Sequence, residues 1–232
     1  MPSPWGQATK AMMEYKELAF AAAPWEGGGA NEELVAWAGN NGAPIVAWND
    51  EAPIHRWDDI LFLLERLAPQ KALLPQSRED RALVLGLCYE ICGQLGLAWN
   101  RRLSMFAPMV ASGQAPEGFV LMAKKYGSTE EDVARADERQ IATLKALADR
   151  LKAQQSAGSE YFVGNSITAV DFFWASFSNL FDLLPPEKCP MPEQARPMFT
   201  NMADNVRSAV DPVLITHRDK IIASHFKIPM EM

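Results

Sequence analysis

Basic residues are the minority charge in this 232-residue chain: 22 Lys and Arg stand against 29 Asp and Glu, a net charge of −7. A net acidic chain with no long basic run is a poor electrostatic match for nucleic acid. Cysteine is scarce as well. Three thiols are too few, and odd in number, for a disulfide framework, which points to a reducing, cytoplasmic setting. No run reaches about 18 uncharged apolar residues, and residues 1–10 lack the charged-then-apolar order of a leader, so neither a membrane span nor a signal peptide is expected. The three His are far apart in sequence and give a metal site no support. What is present is ordinary globular usage, 48% hydrophobic and 22% charged. That excludes general disorder and is enough for one large domain or two small ones.

Residues 1–68 read as short mixed elements punctuated by Pro and Gly. Ala11, Met12, Tyr15 and Leu18 give helical spacing over 4–18, and the apolar run 18–23 reads as a strand ended by Pro24 and the Gly27-Gly28-Gly29 loop. Asn31 is placed to cap a helix that Gly39 stops. Residues 43–48 and 53–56 read as two further strands, and Asp58-Asp59 opens a helix carrying Ile60, Leu61 and Leu64. Pro69 to Ser77 makes 69–78 the linker. Beyond it, over 79–232, strand signals vanish. A long helical stretch over 78–105 is bent by its glycines, and helices follow over 130–155, 168–184, 193–210 and 212–225.

Thr168 and Asp171 have the capping-box spacing, with Ile167 and Phe172 placed for a hydrophobic staple. The run 164–171 resembles the motif that opens the buried core helix of glutathione transferases. Ser3-Pro4-Trp5-Gly6-Gln7 resembles that family's active-site segment, Gly42-Ala43-Pro44-Ile45-Val46 the segment of its cis-proline, and the run from Ile60 its third helix. The resemblance covers nearly the whole chain. It implies an α/β N-terminal thioredoxin-like domain (1–68), the linker (69–78) and an all-α C-terminal domain (79–232). It also implies glutathione as co-substrate and a homodimer.

Carried onto this sequence, the resemblance makes Ser3 the hydroxyl that stabilises the glutathione thiolate, although a helix cap alone would also account for it. Ala43 and Pro44 would present backbone to the peptide ligand if the proline is cis. Two departures stand out. Only Met1 and Pro2 precede Ser3, where the family has an internal strand; either the start is truncated or another segment supplies that strand. Arg56 and Trp57 occupy the positions of the family's acidic residue and Ser, so the hydroxyl contact to the γ-glutamyl carboxylate is lost and Arg56 becomes the group to hold it.

A substrate pocket is expected at Trp5, Trp99 and Arg101. Arg101 or Arg102 would hold an anionic substrate, or else the two form a surface pair or dimer contact. Cys88 and Cys92 read as core, Cys189 as an incidental loop thiol, and His55, His217 and His225 as structural or surface. Three functions fit. One is a transferase joining glutathione to a hydrophobic electrophile. The second is a non-catalytic protein holding a hydrophobic or anionic ligand, and the third is an interaction module on the same fold.

Overall fold

Helix starts follow capping chemistry through most of the chain. The computed structural model describes residues 2–27, 29–113, 115, 117–127 and 129–230, without the side chains of Phe119 and Lys125. Met1, Gly28, Glu231 and Met232, drawn above into the domain limits and the glycine loop, lie outside the described residues. Helix α1 (Pro4–Tyr15) begins at Ser3, whose Oγ accepts the Gly6 N–H at 3.3 Å, with Pro4 at the first helical position. It stops short of residue 18 because Glu17 takes a left-handed φ of 57° and the Leu18 N–H turns back to the Met13 carbonyl. Helix α2 (Glu32–Ala38) buries no residue, and Trp37 is 57% exposed. Asn31 stands before it but does not cap it. Its φ is 47°, and its side chain instead donates to the carbonyls of Glu26 and Gly29 and to Asn41.

Among the described residues the expected sheet is reduced to one antiparallel bridge, Val46 with Ile54, made by reciprocal N–H···O bonds of 2.9 and 2.8 Å. The strand expected over 18–23 is absent, and residues 19–23 are exposed. A strand persists only where a neighbour takes its N–H and C=O groups, and among the described residues no strand pairs with 18–23. Helix α3 (Trp57–Leu67) then buries Ile60, Leu61, Leu63 and Leu64.

The glycine bend is a complete break. Helix α4 (Arg78–Cys92) and helix α5 (Leu97–Ala111) are separated by the turn 93–96, where Leu95 takes a φ of 59°. One window within residues 78–111 is apolar enough to cross a membrane on composition. The turn splits the segment, and Val84, Cys88, Ile91 and Cys92 of α4 face the core. Helices α6 (Glu117–Lys125) and α7 (Glu130–Ser156) follow, the second capped by Thr129 Oγ1, which accepts from the Asp132 N–H.

Helix α8 (Ala169–Phe177) is buried along its whole length and packs against α1 and α4. It is shorter than the expected 168–184. A 3₁₀ turn, Ser178–Leu180, follows it, where the Ser178 hydroxyl returns to the Ala175 carbonyl. The expected helix 193–210 is broken into the 3₁₀ turn Glu193–Ala195, α9 (Arg196–Thr200) and α10 (Asp204–Ser208). Pro197 supplies no N–H, and Asn201 turns to extended backbone. Helix α11 (Pro212–His225) has the expected limits, starts on an Asp211 cap, and also packs on α8.

Two buried polar clusters fix these parts. Asp171 accepts from the Thr168 N–H and hydroxyl, the Phe162 N–H and, at 2.9 Å, His217 Nε2 of α11, so the capping box also anchors the last helix. Lys16, with no exposed side-chain surface, pairs with Glu65 at 2.7 Å and donates to the carbonyls of Ala68 and Lys71. Glu65 in turn accepts from the N–H groups of Leu73 and Leu74. The end of α1, α3 and the linker are thereby tied together. Cys189 lies in the loop after α8, as expected, but is fully buried, and burial pushes all three thiols up.

Candidate functional site

The start of α1 is held from two sides. Ser176 Oγ of α8 donates to the Pro4 carbonyl at 2.7 Å, and the Trp5 indole N–H donates to the Cys92 carbonyl at 3.2 Å while its ring stands edge-on to Phe177. This places Ser3 against a segment forty residues away. Its hydroxyl donates to the Ala43 carbonyl at 3.3 Å, and the Ala43–Pro44 bond that follows is cis. Ser3, Ala43 and Pro44 therefore meet at the positive end of α1, and all three are half-buried. Gly6 N–H and the Ser3 hydroxyl are the donors at that point.

The second group lies at the start of α3. Arg56 precedes the helix, 59% of its side chain exposed, and forms a fork to Asp58 with bonds of 2.6 and 3.2 Å. The Tyr89 hydroxyl of α4 donates to the same carboxylate at 2.9 Å and accepts from Arg56 at 3.2 Å. Burial pushes the Asp58 carboxyl up, but the hydrogen bonds from Arg56 and Tyr89 and the guanidinium charge outweigh it, so the group ends below the usual carboxylate range. The bond to Asp58 in turn holds the Tyr89 phenol above its ordinary value. The protein's own carboxylate thus sits at this helix start beside the cation expected to bind a ligand's.

Trp57 does not project free. Its ring stands edge-on to Tyr89, centroids 4.8 Å apart, and to Phe173 at 5.3 Å. Phe173 meets Phe177, and Phe177 meets Trp5. A continuous aromatic wall, Trp5–Phe177–Phe173–Trp57–Tyr89, therefore runs between the Ser3 group and the Arg56 group. In the sequence Asp58 signals only a helix-start charge, and Tyr89 carries no local signal. Their meeting joins side chains 31 residues apart, one at the start of α3 and one on α4.

Trp5 belongs to this site, whereas Trp99 and Arg101 do not join it. The Trp99 indole donates to the Tyr126 carbonyl at 2.8 Å, beyond the 93–96 turn. Arg101 is a correction. It is 2% exposed and spends its donors on the carbonyls of Leu180, Phe199 and Asn201, at 2.9, 3.1 and 2.7 Å. Two of those carbonyls are presented by the end of α9, where the helix expected over 193–210 breaks. Burial lowers the Arg101 guanidinium to about 10. A groove of about 620 Å³ between α1, residues 20–22 and the tail 226–229 touches none of the expected site residues.

By sequence alone, neither a family model nor a curated protein matches the chain. Solved structures do. A glutathione S-transferase from Methylobacterium radiotolerans, in complex with glutathione sulfonate, is 17% identical with a TM-score of 0.61, over 100% of this chain and 93% of that one. A glutathione S-transferase domain-containing protein from Marinobacter aquaeolei gives 14% and 0.64, over 96% and 94%. Maleylpyruvate isomerase from Pseudomonas aeruginosa gives 14% and 0.55, over 95% and 87%. Likeness across so many diverged sequences, with Ser3 brought to a cis Pro44 and Asp171 capping a buried α8, means that this chain has the fold of the glutathione transferase superfamily.

Proposed function

We propose that the chain is a transferase that joins glutathione to a hydrophobic electrophile, acting as a homodimer in the cytoplasm. The observation that carries the reading is the meeting of Ser3 with Ala43 and cis Pro44 at the N-terminus of α1. When the tripeptide lies along Ala43, the Ser3 hydroxyl turns its proton from the Ala43 carbonyl to the sulfur. The thiol gives its proton to solvent; the Gly6 N–H holds the Ser3 oxygen in place, and the Ser3 hydroxyl and the positive end of the helix stabilise the thiolate that remains. Arg56 turns from Asp58 to the γ-glutamyl carboxylate. Trp5, Trp57 and Tyr89, the partly exposed members of the aromatic wall, offer the electrophile an apolar face. The glutathione sulfonate held by the Methylobacterium neighbour supports glutathione as the co-substrate.

For the dimer, Phe62 of α3 is 41% exposed with Arg81 over its ring, and an apolar groove of about 250 Å³ lies between α4 and α7 at Leu87, Ala142 and Leu147. These faces suit a second copy, and sedimentation of Phe62→Ser should show a monomer. The chemistry is tested by turnover of glutathione with an aromatic halide. Ser3→Ala should lose about a hundredfold or more in rate while glutathione affinity stays within a fewfold.

A second reading is a ligand-binding protein that has lost the reaction. It is favoured by the Asp58 carboxylate already held by Arg56 and Tyr89 where the ligand carboxylate would go. Absence of glutathione binding to the folded chain would select it.

A further inference from the structure

We propose that the groove beside α1 holds an extended peptide segment of another protein, which adds as a strand to residues 18–23 and sets its C-terminal carboxylate on Lys10. Phe20 and Ala22, two residues apart, both line the groove, as alternate side chains of an extended segment do. The backbone N–H and C=O groups of residues 19–23 make no hydrogen bond to any described residue, and all of these residues are exposed. An uncovered edge of this kind is a template for the backbone of another chain. The groove beside it has a volume of about 620 Å³, within the range of about 300–1,000 Å³ in which proteins enclose a ligand. Lys10 and Glu14 of α1 form a second wall, and Lys227 and Ile228 of the tail after α11 a third. Phe20 is 37% exposed and Ile228 41%, so two different walls offer apolar surface to the side chains of a bound strand.

Charge fixes which end of a peptide the groove takes. Lys10 is half-buried and has no ion pair or hydrogen bond with any described residue. Glu14, one turn further along α1, is taken by Lys227 at 2.9 Å. Lys10 is therefore the unpaired charge among the described lining residues, and a carboxylate answers it. An alkyl carboxylate would satisfy Lys10 but leave the 19–23 backbone to water, whereas a peptide with a free C-terminus satisfies both. Residues 18–23 of a second copy carry no carboxylate for Lys10. Ser3, Pro44 and Arg56 lie outside the groove, so peptide binding there does not require glutathione.

The test is calorimetric titration of the full chain with an acetylated tetrapeptide of alternating threonine and valine ending in a free carboxylate, with its C-terminal amide, and with octanoate. The expected result is saturable binding of the acid, about tenfold weaker binding of the amide, and still weaker binding of octanoate. Methylating the peptide nitrogens one at a time should abolish binding at alternate positions only, because a strand turns every second N–H toward its neighbour. Lys10→Gln should remove the preference for acid over amide while the amide binds as before, which also shows that the variant is folded. Equal affinity for acid and amide, a preference that survives Lys10→Gln, octanoate as strong as the peptide, methylation tolerated at every nitrogen, or no saturable heat would overturn the proposal. Self-association of the unliganded chain that Ala21→Pro abolishes would assign the edge to a second copy and overturn it as well.

Discussion

Asp58 is the residue on which the site turns. It ionises more readily than an ordinary carboxyl because Arg56 and Tyr89 hold its charged form against the cost of burial. A carboxyl lowered in the folded state stabilises the protein at pH values above its unfolded pKa, and that contribution disappears as pH falls through the folded pKa. Tyr89→Phe removes one of the two side-chain donors. The Asp58 titration should then move up toward the usual carboxylate range, and acid unfolding should begin at a higher pH; carbon-detected NMR titration and acid melts read both. An unmoved Asp58 titration would mean that Arg56 alone sets it. Ser3 and Pro44 were legible in the sequence because each sits in a short contiguous motif. Asp58 and Tyr89 were not, since their roles arise from residues 31 apart meeting across two helices. The role of Arg101 is hidden for the same reason: its partners are backbone carbonyls 79 to 100 residues away.

Elements were legible where a cap announced them. Ser3, and Thr168 with Asp171, start helices as their chemistry dictates. Misreadings cluster where tertiary partners decide. Strand-like composition over 18–23 forms no ladder without a neighbour, and helical composition over 193–210 is cut at Asn201 while Arg101 takes carbonyls there. The turn between α4 and α5 has a steric basis that composition only hinted at. A Cβ on Gly96 would lie 2.6 Å from the Tyr89 carbonyl and 2.8 Å from that of Glu90. Gly96→Ala should therefore push back the end of α4, costing about 1–3 kcal/mol and loosening Tyr89 from Asp58. Urea unfolding and the Asp58 titration check the two effects together. A neutral substitution would show that the turn yields without moving α4.

At the scale of the whole molecule, α8 is the common support of α1, α4 and α11, and Lys16 is the link by which α1 and α3 grip the linker. Lys16→Met leaves the half-buried Glu65 without its cation, and stability should fall by about 2–3 kcal/mol. A loss below about 1 kcal/mol on chemical denaturation would mean that Glu65 finds another partner. The site depends on this frame, because Ser3 and Arg56 stand at the starts of different helices.

The most direct test of the account is thermal unfolding of the intact chain with and without millimolar glutathione. Ligand at about 100 times its dissociation constant stabilises by about 2.7 kcal/mol, which in a chain of this size raises the midpoint by roughly 5–10 °C. The account predicts such a rise, with Arg56 released from Asp58 to the tripeptide. An unchanged midpoint in a well-folded sample would contradict it, and would mean that the Asp58 carboxylate keeps the place at the start of α3 for itself.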